Sequence, residues 1–578
     1  MSSEDKTLKV VPGAKAKKEV NPKEASVDTA TQKMLAKAQA EGVETIFDRA
    51  ANMKPCNIGE QGTCCKMCSQ GPCRLPLTKK VAEGEDTRKG LCGATPETIA
   101  ARNFARMVAA GAAAHGDHGR GVAEVFLAAA RRETEDYQIN DTEKLLQIAP
   151  YFDVPTTVMV KGPDGEAVEQ ERDIYEIAED VGEKALSEWG RQNGEIRYAK
   201  RAPAARYELW KKLDVIPRGI DREVVDIMHR THMGCDQDYR NIIKQCTRTA
   251  LADGWAGSMI STDLQDVLFG TPYPVQGEIN MGVLKEDHVN IVVHGHEPLL
   301  SEMIVVAAQS KEMLEYATKK GAKGIVLAGM CCTANEILVR HGMPIAGNYL
   351  QQELAIVTGA VDAMVVDVQC IMENIANVAK CYHTKIITTH PSAMIESGDT
   401  IHIEFDEHHA MEDAKKIVKL AIDNFPNREA DILIPEEKEM MVAGFSYEAI
   451  NYHLGGTFRG SYTPLNDNII NGRIRGIGGV VGCNNARTVH DSAHLIIVKE
   501  LLKNDVIILT TGCNAMACGK AGLLTPEAAK VYCGSGLAEV CETVGIPPVL
   551  HMGACIDNSR ILMAATEVVK AGGLGKDI

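Results

Sequence analysis

The pattern of apolar and polar positions divides the 578-residue chain into three textures. Residues 1–45 are polar and rich in Lys, Ala and Glu, which predicts a mobile N-terminal arm with one helix from Thr29 to Ala40. Over 46–270 the apolar residues recur at helical spacing. Thr95-Pro96-Glu97 opens a helix there, with Thr as N-cap and Pro at the first helical position, and ETIAARNFARMVAAGAAAHGDHG continues it. After Pro272 short Val- and Ile-rich runs alternate with helical segments: VNIVVHGH, GIVLAG, AMVVDV and KIITTH, then GIGGVVGC, VIILTTGC and PPVLHMG. Continuous apolar runs separated by helices are the mark of buried parallel strands in βαβ units. The expected fold class is therefore α/β multidomain. An all-helical domain over 46–270 precedes two Rossmann-like parallel-sheet domains, 271–425 and 426–578.

Composition narrows the function. Hydrophobic residues make up 45% and charged residues 24%, enough apolar content for a folded core. With 62 Lys plus Arg against 78 Asp plus Glu, the net charge of −16 disfavours nucleic-acid binding. The N-terminus has no apolar signal region and no run of 18 apolar residues follows, so a cytoplasmic protein without a membrane span is expected. Neither glycine-rich stretch is a nucleotide fingerprint: GIGGVVG has Val481 where the third glycine should fall, and GGLGKD has Asp577 where a phosphate loop needs Ser or Thr.

The 18 cysteines carry the chemical signal. In a reducing compartment they are not a disulfide framework. Scattered positions would suit buried thiols acting as small hydrophobes, but six crowd between Cys56 and Cys92. Cys65, Cys68, Cys73 and Cys92 supply four thiolates from one Gly/Pro-broken loop, the ligand set of an iron–sulfur cluster, with zinc as the alternative. Cys56 and Cys64 are left over. Either they are unligated, or each subunit of a homodimer gives two thiolates to one cluster on the two-fold axis.

A second group sits at the carboxyl ends of the expected strands: Cys331-Cys332, Cys370, Cys483, Cys513 and Cys555, with His294 and His296 at the end of VNIVV. Ligands of open α/β sheets bind just outside those ends, and thiolates with imidazole favour a soft metal. Cys235, Cys246, Cys381, Cys518, Cys533 and Cys541 read as packing residues.

The ordered set GTCCKMCSQGPCR, AAGAAAH-x-DHGR, HGHEP, MCCTANE, DVQC, GVVGCNN, TTGC and LHMGACIDNSRI resembles the anaerobic nickel–iron–sulfur carbon monoxide dehydrogenases from about residue 50 onward. The resemblance implies a homodimer that oxidises CO with water to CO2, two protons and two electrons, passed to a ferredoxin-like acceptor, and a nickel-insertion accessory protein. It implies that Cys65, Cys68, Cys73 and Cys92 hold a [4Fe–4S] relay cluster and that Cys56 and Cys64 hold a dimer-bridging cluster, [4Fe–4S] or [2Fe–2S]. The nickel–iron–sulfur cluster would take His296 and Cys332 on its outlying iron, Cys370, Cys483 and Cys513 on the cubane, and Cys555 on nickel. Cys331 and His294 are adjacent residues outside that ligand set. His115 matches the family's histidine beside the cluster, Asp253 its nearby carboxylate, and His118, three residues on, shares a helix face with His115 and would pass protons outward.

The sequence departs from the family in two places. The histidine step does not continue, since Gly121 and Glu124 follow His118. The family also continues beyond LHMG-x-C-x-DNSR with further strands and a lysine near the cluster; Lys570 and Lys576 come too early to be that residue, so the last domain is expected to be incomplete. Two other functions fit parts of the pattern. One is a hybrid-cluster hydroxylamine reductase, which needs no nickel; the other is an iron–sulfur electron-transfer or sensing protein without turnover. A zinc-stabilised scaffold, which predicts a colourless protein, is a third and weaker alternative.

Overall fold

The computed structural model describes residues 19–578 except 78–80, 82–85, 162–163, 165, 397–398, 429–430 and 456–459. Its N-terminal half is built on one 35-residue helix, Pro96–Ala130, which extends beyond the run ETIAARNFARMVAAGAAAHGDHG. Thr95 caps it through Oγ1, which accepts from the Thr98 N–H at 3.4 Å. The helices Ile174–Gly190, Ile220–Arg230, Tyr239–Ala252 and Ser258–Phe269 pack around it. Close approach depends on Gly119, where a Cβ would lie 2.7 Å from the Gly257 carbonyl oxygen. That carbonyl belongs to a π-helical turn, Asp253–Gly257, set between the last two helices. Such turns mark positions where a helix is locally re-aimed, often at functional sites.

The expectation of an all-helical region is corrected by a hairpin, Thr157–Lys161 paired antiparallel with Ala167–Glu171. Its short runs, TVMVK and AVEQE, are five residues each and bury little, so they carry no helical periodicity.

The C-terminal half contains an 11-stranded sheet. In chain order its strands are β1 (Val275–Ile279), β2 (Val289–Gly295), β3 (Ile325–Met330), β4 (Ile345–Gly347), β5 (Ala363–Val366), β6 (Lys385–Thr388), β7 (Ile401–His402), β8 (Glu439–Ala443), β9 (Gly476–Val480), β10 (Val506–Thr510) and β11 (Val549–His551). Their order across the sheet is β7-β6-β5-β2-β3-β4-β1-β8-β11-β10-β9. Every pair is parallel except β1–β8, which runs antiparallel with Glu439 opposite Ile279 and Ala443 opposite Val275. The two expected α/β units thus share one sheet through that junction. Residues of β2 are buried throughout, as its continuous apolar run requires.

The N-terminal arm needs correction as well. Residues 1–18 lie outside the described residues, but from residue 19 the segment is docked. Helix Thr29–Ala40 buries Ala30, Met34, Leu35 and Ala38 in a cluster with Leu350, Leu354 and Ile356. Lys37 Nζ donates to the Val357 and Asp431 carbonyls at 2.8 Å each. Small and flexible apolar residues cover this patch, which is why its composition resembled that of a free arm.

Candidate metal centre

Strand ends from both halves of the sheet meet at one place. The ligand atoms of His296, after β2, Cys332, after β3, and Cys555, after β11, all lie within 4.8 Å of one another. The Cys555 N–H donates to Cys332 Sγ at 3.2 Å, and Cys370 Sγ is 3.8 Å from His296 Nε2. Gly512, which precedes Cys513, packs so closely that a Cβ there would lie 2.5 Å from Cys555 Sγ. The thiols are also paired. Cys332 lies beside Cys555, Cys513 beside Cys483 and Cys331 beside Cys370, each near enough for its neighbour to govern its titration. In each pair the neighbouring thiol pushes one member up and the other down: Cys332 over Cys555, Cys513 over Cys483, and Cys331, chiefly through burial, over Cys370. A set of soft donors gathered at one place, buried except toward Cys483, is one in which cations can replace the protons, so the residues fit a metal–sulfur cluster.

The backbone is shaped for this. Cys331 and Cys370 are non-glycine residues at φ 59° and 57°, conformations that persist only where surrounding contacts fix them. Asp367, directly after β5, fastens the neighbouring segments. Its Oδ1 accepts from the N–H groups of His296, at 2.6 Å, and of Val368, and its Oδ2 accepts from Thr333 Oγ1 at 2.7 Å. Gly295 is required because a Cβ there would fall 1.8 Å from that carboxylate. Gln352 works beside it, donating to the Cys370 carbonyl at 2.9 Å and accepting from Met372 N–H. Neither Asp367 nor Gln352 stood out in the sequence. An Asp directly after the run AMVV was the available signal.

His294 lies apart from the thiols. It is fully buried with Nε2 3.0 Å from Gln352 Oε1, and burial holds its pKa down at about 4. His115 Nδ1 is 3.0 Å from Asp253 Oδ1, on the π-helical turn, and Ser258 Oγ donates to the same oxygen at 2.6 Å. Burial disfavours the His115 imidazolium, but the Asp253 charge and hydrogen bond outweigh it, with help from the Cys555 thiolate, and raise its pKa above the ordinary value. His118 is different: it is buried, its Nε2 is 2.8 Å from Gln265 Nε2, and burial lowers its pKa to about 3. It is therefore neutral across the physiological range, and it lines a cleft of about 1060 Å3 with Asp117, Arg120, Glu124 and Glu297. Burial, then the Asp367 charge, pushes the Glu297 carboxyl up to about 8.

The early cysteines form a separate group. Cys64-Cys65 pairs antiparallel with Cys73-Arg74, and Cys65, Cys68, Cys73 and Cys92 line one small pocket. A Cβ on Gly71 would lie 2.9 Å from the Cys65 carbonyl oxygen. Backbone N–H groups lower the pKa of Cys92, through Ala94, and of Cys56, through Gly59 and Ile58. Cys56 is exposed and Cys64 half-buried. Among the described residues no helix is long and apolar enough to cross a membrane.

A helical half, a large parallel sheet and two separate thiol groups, one of them mixed with imidazole, give the fold two candidate metal–sulfur sites, one at its centre and one toward the surface. The sequence signature described as the Prismane/CO dehydrogenase family matches residues 63–578. Carbon monoxide dehydrogenase 1 of Methanosarcina mazei is 51% identical over 557 residues, 96% of this chain and 84% of that protein. Carbon monoxide dehydrogenase 1 of Carboxydothermus hydrogenoformans is 45% identical over 568 residues, 96% and 85% of the two chains. The crystal structure of the carbon monoxide dehydrogenase from Thermococcus sp. AM4, Ni-free and produced without the CooC maturase, superposes with a TM-score of 0.90 at 46% identity, covering 96% of this chain and 84% of that one. The chain belongs to the Prismane/CO dehydrogenase family.

Proposed function

We propose that this protein is a carbon monoxide dehydrogenase that oxidises CO with water to CO2, two protons and two electrons. The observation that carries the reading is the convergence of His296, Cys332 and Cys555 within 4.8 Å where both halves of the sheet meet. In this reading His296, Cys332, Cys370, Cys483, Cys513 and Cys555 hold a nickel–iron–sulfur cluster. When bound, the cluster supplies adjacent Lewis-acid sites for CO and water and takes up the two electrons. His115 accepts protons at Nε2 while Asp253, hydrogen-bonded at Nδ1, orients the ring and stabilises its protonated form. His118, on the wall of the cleft, passes protons outward as a neutral imidazole, because its surroundings disfavour the charged form. Cys65, Cys68, Cys73 and Cys92 hold a [4Fe–4S] relay cluster, and Cys56 with Cys64 contributes to a cluster, [4Fe–4S] or [2Fe–2S], shared with a second copy. Electrons leave to a ferredoxin-like acceptor. Nickel loading by an accessory protein fits the same reading, since the Thermococcus relative made without its maturase is Ni-free.

The test is CO-dependent reduction of a viologen dye by anaerobically purified protein, with nickel and iron quantified on the same sample. CO-driven reduction that scales with nickel content is the expected result. Iron without nickel after maturase co-expression, together with hydroxylamine reduction, would overturn the reading in favour of a hybrid-cluster enzyme.

A further inference from the structure

Among the cysteines assigned to the central cluster, Cys483 is the exposed one, and it lies in an irregular stretch, 481–491. Cys332 and Cys513 stand in the first turn of the helices Cys331–His341 and Gly512–Lys520 and are buried, so their backbone is fixed by secondary structure. Cys483 has no such support and must be positioned from elsewhere.

The loop is closed on itself and pinned from two sides. Asn484 Nδ2 donates to Asp491 Oδ1 at 2.8 Å, and the Asp491 N–H donates back to Asn484 Oδ1 at 2.8 Å. Asp491 holds a left-handed conformation at φ 65° to do so. On the inner side its Oδ2 meets Lys520 Nζ at 2.5 Å, with both side chains 2% exposed, and Lys520 also donates to Gln351 Oε1 at 2.9 Å. Lys520 is the last residue of the helix that begins beside Cys513, so the pair ties the loop carrying Cys483 to the element carrying Cys513. On the outer side the N-terminal segment closes over the loop. Ser26 Oγ is 2.9 Å from His490 Nδ1, the His490 N–H donates to the Ala25 carbonyl at 2.9 Å, and the Val27 N–H donates to the His490 carbonyl at 3.2 Å. The Phe47 ring meets His490 edge-on at 6.1 Å, and Arg487 Nη1 donates to the Met53 carbonyl at 3.1 Å. A buried ion pair adds little net stability over apolar packing, so what this one contributes is register.

We propose that the Asp491–Lys520 pair and the docked N-terminal segment act as a clamp that positions Cys483 as a cluster ligand. The inference rests on Cys483 being a ligand, and the experiment separates the two. Full-length, nickel-loaded protein and its variants are challenged with a chelator under anaerobic conditions, and the release of nickel and iron is followed by elemental analysis and EPR. Ser26→Ala and Lys520→Met are expected to release nickel and the central iron on the order of tenfold faster, as loss of an outer support does at other metal sites, while the iron of the Cys65 group is retained. Lys520→Arg, which keeps the charge, is expected to restore most of the retention. If Lys520→Met does not fold, Arg487→Ala, an exposed change that leaves the ion pair intact, carries the same expectation. Unchanged release, or parallel loss of iron from both thiol groups, overturns the clamp. Cys483→Ala is the reference: if it keeps its nickel and iron, the ligand assignment itself fails, whereas metal loss in Cys483→Ala with retention in the clamp variants sinks the clamp alone.

Discussion

Asp253 decides how His115 titrates. With the carboxylate 3.0 Å from Nδ1, the imidazolium is stabilised and its pKa is raised, so deprotonation to the accepting form occurs at higher pH than for a free histidine. Asp253→Asn removes that charge and leaves burial to act alone, which lowers the pKa. The acid limb of the CO-oxidation profile, where activity rises as His115 loses its proton, should therefore move to lower pH. His115→Gln should remove the acceptor and reduce turnover roughly 10²–10⁴-fold with nickel and iron contents unchanged. Dye-reduction rates across pH, with metal analysis of each variant, check both, and loss of metal would assign His115 to structure instead. At this scale the meeting of His296, Cys332 and Cys555 was legible because cysteines at successive strand ends form a pattern. Asp367 and Gln352 were not: each acts by holding a neighbour's backbone, and a lone Asp or Gln carries no spacing that reveals it.

Elements are held around the centre by a buried charge cluster. Arg560 contacts Asp266 at 2.8 and 2.9 Å and Asp557 at 3.1 Å, Arg340 contacts Asp266 at 3.0 Å and Glu336 at 2.8 Å, and the Arg560, Asp266, Asp557 and Glu336 side chains are fully inaccessible. The cluster links the helices Ser258–Phe269, Cys331–His341 and Asn558–Ala571. It also reaches the centre, because Asp557 accepts from the Ala554 N–H at 2.9 Å, one residue before Cys555. Arg560→Met should therefore leave two buried carboxylates short of a partner and destabilise the protein by about 3–5 kcal/mol. Denaturant unfolding of matched metal-loaded samples measures this, and a midpoint within experimental error of wild type would refute it. The helices and the seven long apolar runs could be read from periodicity. The junction β1–β8 could not, since VQGEI and EMMVA are short strands without a long apolar run whose pairing spans some 160 residues of intervening chain. The docking of Thr29–Ala40 was hidden for a related reason: an Ala-rich face buries well only when the partner surface is already shaped to receive it.

On the whole molecule, exposed apolar side chains gather around the early cysteines. Met53 is 63% exposed, Leu91 74%, Phe104 51% and Met107 73%. Met53 precedes Cys56 by three residues and Leu91 directly precedes Cys92. Asn103 Nδ2 donates to the Gly62 and Cys64 carbonyls at 2.8 and 3.1 Å, which fastens the Cys64 strand to the stretch of the long helix that presents Phe104 and Met107. Water-exposed patches of this kind mark interaction surfaces, and two thiolates need a second pair to complete a cluster. A second copy related by a two-fold axis satisfies both requirements at once, because an isologous contact brings Cys56 and Cys64 against their own equivalents. Light scattering should then give about twice the 62.6 kDa chain mass. Phe104→Glu with Met107→Glu should shift the protein to monomer and cost the iron of the shared site, while the Cys65, Cys68, Cys73 and Cys92 pocket, which lies within one chain, keeps its own. Cys56→Ser with Cys64→Ser separates cause from consequence. If the patch drives association, this variant loses the shared iron and remains a dimer; if the cluster is the main link, it dissociates as the charged variant does.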